Sequence, residues 1–205
     1  MDIVWDLSID SFPLIVKPAW EHCAIGVEQQ SVVHGYQSLE IRTRAMWEKF
    51  RQPILVEEFL DGNEYQVTIL EKEGKPWVLP PAEIIYKKIE GLEPLISFSE
   101  KWLDNKTEDD MSELKIFQGS QELRDKIERL ALSAFIKLDC KDYVRLDLRE
   151  KGGEVYILEV NVNPGLDWDP NWGVAVAGQA AGLDFAGLLK VIMDSAVFRF
   201  FHTKN

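Results

Sequence analysis

The fold of this chain is decided by residues 143–165, which read YVRLDLREKGGEVYILEVNVNPG. Apolar and polar residues alternate over 143–149 and again over 158–162, within a second apolar-rich run at 155–162 that follows the turn-prone segment 150–153. Alternation with a period of two is typical of β-strands that are buried on one face. The stretch therefore predicts a β-hairpin.

The residues of this hairpin that carry chemistry all have odd numbers: Arg145 and Asp147 in the first strand, Glu159 and Asn161 in the second. Alternate residues of a strand point to the same face. If the connecting loop has three or five residues, odd positions lie opposite odd positions and all four side chains share one face. The alternative interpretation is a surface hairpin that carries cross-strand ion pairs.

Such a face would suit a magnesium ion. Mg²⁺ prefers hard oxygen ligands and is usually held by one or two carboxylates together with substrate phosphates. Asp147, Glu159 and Asn161 supply carboxylate and amide oxygens, so they are the predicted metal ligands. Arg145 beside them could steady a phosphate or an acyl phosphate formed from it.

Upstream of the hairpin, the pattern predicts further strands and a helix. Residues 12–18 and 54–60 are short, β-branched apolar runs that predict buried strands. Residues 38–50 contain no Gly or Pro and space their apolar residues helically, which predicts a helix. Residues 64–70 and 77–79 predict two strands of a β-meander.

The remaining segments differ in how strongly they are patterned. Residues 86–118 are polar and poorly periodic, which predicts a long loop with short elements. Residues 121–138 carry an apolar stripe and give the clearest helix of the chain. Residues 185–201 predict an apolar helix near the carboxy terminus.

Two further groups could contact a nucleotide. Lys17 ends a predicted strand and leads into a loop containing Gly26, a position from which it could meet a phosphate. The alternative is a surface lysine whose alkyl chain covers apolar neighbours. Glu57 and Glu58 precede a predicted turn and Glu64 follows it, so acidic groups there could receive ribose hydroxyls while backbone groups bind adenine. The alternative is a solvated turn.

Composition opposes two classes of partner. The chain has 35 acidic and 23 basic residues and a net charge of -12, whereas proteins that bind nucleic acid or anionic membranes present basic surfaces. It has no apolar run of about 20 residues and no apparent signal peptide, so a cytoplasmic protein is expected. Cys23 and Cys140 are far apart and lack metal-ligand spacing.

In order along the chain, these segments resemble the ATP-grasp superfamily and, within it, the D-alanine-D-alanine ligase group. The similarity runs from about Phe12 to Ala196, and its most specific motifs are VRLD at 144–147 and LEVNVNPG at 158–165. The resemblance implies an α+β ATP-grasp fold. It places a partial nucleotide-binding lobe at 1–62 and a larger carboxy-terminal lobe, with an antiparallel sheet and helices, at 63–205.

The resemblance also implies a role for individual residues. It assigns the nucleotide contacts to Lys17 and Lys101 at the phosphates, Glu21 in the closing loop, Glu57 and the backbone near Leu60 at adenine, and Glu64 at the ribose, with Glu58 as a further nucleotide-binding residue. Asp147, Glu159 and Asn161 would hold magnesium, with two ions expected and Mn²⁺ able to substitute. Arg145 and Lys101 would stabilise charge during catalysis.

The implied reaction is ATP-dependent joining of a carboxylate to an amine through an acyl phosphate, on an amino acid or small peptide. The alternative is a nucleotide-binding module or fragment that does not ligate on its own and works with an amino-terminal partner domain or as a homo-oligomer. The chain begins only a few residues before the Lys17 strand, so we expect the family's amino-terminal substrate domain to be absent.

Two segments depart from the family pattern. Residues 22–24 read His-Cys-Ala where the family's closing loop typically has Gly-Ser-Ser, which removes small residues and hydroxyl groups. Residues 166–172 are bulky and acidic where the family has a small, serine-bearing stretch for an amino-acid carboxylate. D-alanine is therefore not the expected acceptor, and Asp167 or Asp169 could instead meet a cationic group.

Overall fold

The computed structural model describes residues 11–99, 111–169 and 172–202. They form two compact units: the first contains residues 11–61, 87–99 and 111, and the second contains residues 62–86, 112–169 and 172–202. Segment 87–99, which the sequence had assigned to the second lobe, thus groups with the first unit. The contacts responsible include Glu93 N donating to Gln29 Oε1 and Phe98 N donating to Val27 O.

The first unit is a three-stranded antiparallel sheet in the order β2-β1-β3, with one long helix. Strand β1 is Leu14–Pro18, β2 is Val32–Val33 and β3 is Ile54–Glu58. Helix α1 is Tyr36–Phe50, and a short 3-10 helix covers Gln29–Ser31. The predicted strands and helix of this region are confirmed.

The core of the first unit lies between β1 and α1. Leu14 and Val16 alternate toward the interior, whereas Ile15 and Lys17 lie on the other face of the strand. Leu39 and Met46, seven residues apart on α1, pack against the same cluster. Lys17 is therefore on the sheet face that this core does not use.

The second unit is a six-stranded antiparallel sheet in the order β7-β6-β4-β8-β9, with β5 paired to β4. Its strands are β4 Glu64–Lys72, β5 Lys75–Val78, β6 Ala82–Tyr86, β7 Ser112–Ile116, β8 Tyr143–Lys151 and β9 Glu154–Asn161. Its helices are α2 Gln121–Lys137, α3 Gly173–Ala180 and α4 Phe185–His202. The meander, the hairpin and both predicted helices are confirmed; β6 and α3 had not been predicted, and β7 is one short element of the expected loop.

The central strand β4 is covered on both faces. Val67 and Ile69 join the core that includes Ile127 of α2, whereas Leu70 joins a separate core with Val174 of α3 and Leu188 of α4.

Helix α2 begins at the N-cap Ser120, whose hydroxyl accepts from Leu123 N at 3.2 Å. None of the helices in the described ranges has the length and apolar character needed to cross a membrane.

Candidate functional site

A β-bulge in the β8–β9 hairpin determines which side chains share a face. The loop between the strands has two residues, Gly152 and Gly153, with φ of 61° and 82°. Positive φ at both positions is what a two-residue hairpin turn of the primed type requires. The condition of a three- or five-residue loop is therefore not met, and next to the turn Lys151 lies opposite Glu154, an odd position opposite an even one.

The odd-to-odd pairing is restored farther along the strands. Leu148 lies opposite Ile157, but Asp147 lies opposite Glu159, so Leu158 is an extra residue in β9. Beyond it, Arg145 lies opposite Asn161. The four predicted side chains therefore do share one face, through the bulge and not through the loop length assumed from the sequence.

These four side chains form a connected polar cluster. Arg145 donates from Nε to Asp147 Oδ1 at 2.7 Å and from Nη2 to Asp147 Oδ2 at 2.8 Å. Asn161 Nδ2 donates to Glu159 Oε1 at 2.8 Å and to Asp147 Oδ2 at 3.2 Å. Arg145 Nη2 is 4.0 Å from Glu159 Oε1. The paired guanidinium and carboxylate are thus held in a two-point geometry next to a second carboxylate.

The cluster is buried at one end and open at the other. The side chains of Arg145 and Asp147 are each 11% exposed, whereas that of Glu159 is 56% exposed. Burial raises the pKa of Asp147 to about 7; Arg145 opposes this change and the charge of Glu159 adds to it. Burial lowers the pKa of Arg145, but its hydrogen bond with Asp147 and the charge of Asp147 outweigh this and leave that pKa raised.

The donor set fits a magnesium ion that is shared with phosphates. With its two carboxylates ionised the cluster carries one guanidinium, so it has an excess negative charge that a divalent cation would balance. Within the described ranges no group of three or more His, Cys, Asp or Glu is arranged to hold a metal by itself. Two carboxylates and an amide leave positions for water and phosphate oxygens, which is the usual way proteins bind Mg²⁺.

Glu64 lies on the same sheet face as Asp147. It is the first residue of β4 and lies opposite Arg149, while Gln66, two residues on, lies opposite Asp147. Its carboxylate accepts a hydrogen bond from Tyr86 and is near Arg149. Arg149 was not identified from the sequence, although its odd position in β8 already put it on the face of Arg145 and Asp147.

In the first unit, Lys17 and Glu57 form a partly exposed ion pair. Lys17 Nζ is 2.5 Å from Glu57 Oε2, and the two side chains are 29% and 50% exposed. They meet because Ile15 lies opposite Glu57 and Lys17 opposite Leu55, so the pair is diagonal on one face. Glu58 lies opposite Leu14 at the end of β3, and the half-buried Leu60 follows the strand.

The loop after β1 is fixed by a glutamine. Gln52 Nε2 donates to the Glu21 carboxylate at 2.8 Å, and Gln52 Oε1 accepts from Trp20 N at 2.6 Å. Cys23 and Ala24 adopt φ of 56° and 62°, in the left-handed region that favours glycine. The His-Cys-Ala sequence at 22–24, which replaces the family's Gly-Ser-Ser, thus includes two positions whose backbone conformation glycine adopts more readily. Lys101 lies outside the described residues.

The segment after β9 uses its tryptophan for packing. The Trp168 ring is 5.8 Å from the Phe185 ring, centroid to centroid, and belongs to the core formed with α3 and α4. Asp167 and Asp169 are exposed on either side of it. The large side chain at position 168 therefore packs in the core of the second unit, while Asp167 and Asp169 are exposed residues. Residues 170–171 lie outside the described ranges.

The chain is similar to a well-defined set of proteins. A family model described as "D-ala D-ala ligase C-terminus" matches residues 7–194. A D-alanine–D-alanine ligase from Marinomonas is 29% identical over 192 residues, covering 91% of this chain and 54% of that protein. The uncharacterized protein y4sG of Sinorhizobium fredii is 30% identical over 191 residues, covering 93% of this chain and 54% of that protein.

Solved structures show the same fold. The D-alanine–D-alanine ligase of Bacillus anthracis complexed with ATP matches with a TM-score of 0.73 at 23% identity, covering all of this chain (100%) and 59% of that chain. A D-Ala:D-Ser ligase from Enterococcus faecalis matches with a TM-score of 0.67 at 21% identity, covering 92% of this chain and 50% of that chain. The chain spans about half the length of the curated relatives it matches.

The bulge makes a prediction that two single deletions can test. Deleting Leu158 removes the extra residue and leaves Glu159 opposite Asp147, so binding of Mn²⁺, used in place of Mg²⁺, should be retained. Deleting Val160 shortens the same strand equally but moves Asn161 opposite Leu146, toward the core, and should abolish binding. Electron paramagnetic resonance of free and bound Mn²⁺ measures both, and equal loss in the two variants would contradict the assigned register.

Proposed function

Because this chain belongs to the D-ala D-ala ligase C-terminal family and has its ATP-grasp fold, we propose that it binds magnesium-ATP and takes part in joining a carboxylate to an amine. The substrate class is an amino acid or small peptide. The observation that carries the proposal is the cluster of Arg145, Asp147, Glu159 and Asn161, in which two carboxylates and an amide meet beside a guanidinium on one sheet face.

Asp147, Glu159 and Asn161 are the residues that would hold magnesium. The bound ion would supply positive charge to the phosphate oxygens of ATP. Asn161 directs its Nδ2 toward the carboxylates, and rotation of its amide would present the oxygen instead. Arg145, held at two points by Asp147, has a fixed direction and can stabilise charge on a transferred phosphoryl group.

In the first unit, Lys17 is proposed to contact the ATP phosphates and Glu57 the adenine. Both side chains are accessible, and the ion pair between them is partly solvated, so exchanging it for ligand contacts has only the small cost of breaking an exposed ion pair. Glu21, Glu58 and the backbone near Leu60 complete the proposed nucleotide contacts of this unit, and Lys101 is proposed as a second phosphate-binding residue.

The chemistry needs no covalent bond to the protein. An oxygen of the substrate carboxylate attacks the γ-phosphorus and ADP leaves, giving an acyl phosphate. The amine then attacks the acyl carbon, an amide bond forms, and inorganic phosphate departs with one oxygen from the original carboxylate. The protein's part is to position the reactants and stabilise negative charge, which are the main contributions in phosphoryl transfer.

A second candidate is a nucleotide-binding module that does not ligate by itself. The observation in its favour is coverage, because the matching region is 54% of the Marinomonas ligase and 59% of the Bacillus anthracis chain. Both candidates require magnesium-ATP binding. They differ in whether a carboxylate substrate triggers transfer of the γ-phosphoryl group.

The first expected result concerns the metal ligands. ATP should bind only with a divalent metal, because two carboxylates repel a triphosphate until a cation intervenes. Replacing Asp147→Asn or Glu159→Gln should weaken magnesium-ATP binding at least about tenfold, or about 1.4 kcal/mol, in calorimetry. The control Glu113→Gln removes an exposed carboxylate of β7 in the same sheet and should change nothing. Equal affinity with and without magnesium would refute the metal assignment.

The second expected result concerns Lys17. Because its ammonium is assigned to phosphates, Lys17→Met should weaken magnesium-ATP by about tenfold or more and leave adenosine binding nearly unchanged. Lys49→Met, an exposed position on α1, is the matched control. Titration with both ligands measures the difference. An unchanged ATP affinity, or equal losses for ATP and adenosine, would show that Lys17 does not contact the phosphates.

The ligase and the module are separated by an isotope experiment. The chain is incubated with magnesium-ATP, a panel of amino acids labelled with ¹⁸O in the carboxylate, and amine acceptors. The ligase reaction transfers one ¹⁸O atom to inorganic phosphate, and mass spectrometry detects it together with the amide product. Phosphate free of ¹⁸O, in a protein that binds magnesium-ATP normally, would favour the module.

A further inference from the structure

The carboxylate of Glu64 is held from one side only. Tyr86 Oη donates to Glu64 Oε2 at 2.7 Å, and Arg149 Nη1 is 3.5 Å from the same Oε2 atom. Within the described residues, the other oxygen of Glu64, Oε1, accepts no hydrogen bond. The Glu64 side chain is 14% exposed, so this largely buried carboxylate keeps one oxygen for a further donor.

Arg149, which approaches that oxygen, is itself firmly anchored. Its side chain is 5% exposed, and its Nε donates to the backbone oxygen of Gly62 at 3.1 Å. Its guanidinium carbon lies 5.4 Å from the centre of the Tyr86 ring. The backbone next to Glu64 thus fixes the guanidinium, and the guanidinium and the tyrosine hydroxyl together fix Glu64 Oε2.

The same strand contains an ion pair with a different geometry. Arg145 grips Asp147 at both carboxylate oxygens, at 2.7 and 2.8 Å, the two-point arrangement that a guanidinium and a carboxylate favour. Between Arg149 and Glu64 the closest atoms, Nη1 and Oε2, are 3.5 Å apart, which is longer than either contact of the Arg145–Asp147 pair. A pair that served only to join the strands would gain from engaging both oxygens. Leaving Oε1 available instead suits a carboxylate that must accept hydrogen bonds from a ligand.

We propose that Tyr86 and Arg149 are positioning residues that hold the Glu64 carboxylate for the ribose hydroxyls of the nucleotide. This inference rests on the proposed magnesium-ATP binding and extends it to the choice of sugar. Sugar hydroxyls are donors that a fixed carboxylate oxygen can accept, so the arrangement selects ribonucleotides over nucleotides that lack these hydroxyls. Without the Tyr86 hydroxyl or the Arg149 charge, the carboxylate would lose its orientation and with it this selectivity.

The test compares magnesium-ATP with magnesium-2′,3′-dideoxy-ATP by calorimetry on the full chain. The wild-type protein should bind ATP about tenfold more tightly, the effect of one hydrogen bond to a charged group. Tyr86→Phe removes only the hydroxyl and should bring the two affinities to within about threefold, chiefly by weakening ATP. Arg149→Met should do the same, and Arg149→Lys should restore part of the difference because it returns the charge.

A tyrosine elsewhere in the sheet provides the control. Tyr143→Phe removes a hydroxyl that donates to Asn163 and should leave the ratio of affinities at the wild-type value. Thermal melting of every variant shows whether the fold is kept, and Tyr86→Phe decides the question alone if Arg149→Met does not fold. If Tyr86 and Arg149 had only a structural role, their substitution would weaken the binding of ATP and of dideoxy-ATP equally or would weaken neither. Either result overturns the proposal.

The wild-type measurement separates this inference from the function on which it rests. If the wild type does not bind magnesium-ATP, the proposed function and this inference both fail. If it binds ATP and dideoxy-ATP equally well, magnesium-ATP binding stands but the role of Glu64 and its two partners in selecting the sugar is overturned.

Discussion

The extra residue in β9 decides what the exposed face of the central hairpin can do. A two-residue turn sets odd positions opposite even ones, and with that register Glu159 would lie opposite Leu146, in the core. The extra residue Leu158 changes this pairing once, so that beyond it odd positions of β8 lie opposite odd positions of β9. The same hairpin can therefore bury Leu146 and Leu148 while it brings Glu159 and Asn161 to Asp147. Both the core of the second unit and its polar cluster depend on this one irregularity.

Two arginines of β8 then serve two carboxylates in different ways. Arg145 takes both oxygens of Asp147 and leaves the open position of the cluster to Glu159. Arg149 lies 3.5 Å from Glu64 Oε2, and within the described residues Glu64 Oε1 accepts no hydrogen bond. Burying a carboxylate requires a partner, and in the first case a neighbouring carboxylate, Glu159, stays open to a ligand, whereas in the second an oxygen of the same carboxylate does. The polar face of this sheet is thus neutralised only in part.

Much of this arrangement could be predicted from the sequence, since the pattern of apolar residues together with turn-forming residues located the hairpin, the meander and helices α1, α2 and α4. A shared face for Arg145, Asp147, Glu159 and Asn161 was expected on condition of a three- or five-residue loop; that condition is not met, and the bulge produces the shared face instead. Alternation shows which residues of one strand share a face; it does not show the register between two strands, which a turn and a bulge set together. The Gly152-Gly153 pair signalled the two-residue turn, whereas nothing comparable in the sequence marks Leu158 as the bulge.

Long-range contacts account for what the sequence did not reveal. Segment 87–99 has little periodicity, and it joins the first unit through hydrogen bonds to Gln29 and Val27, residues that no local pattern connects with it. Arg149 was overlooked for a related reason: an arginine near a turn is usually solvated, and only its contacts with Gly62 and Tyr86 distinguish it. Lys17 presents the opposite case, because its position at a strand end was evident but its ion pair with Glu57 was not. A phosphate that binds Lys17 exchanges with that carboxylate, and because the ion pair is partly exposed, breaking it costs only the small free energy of a surface ion pair.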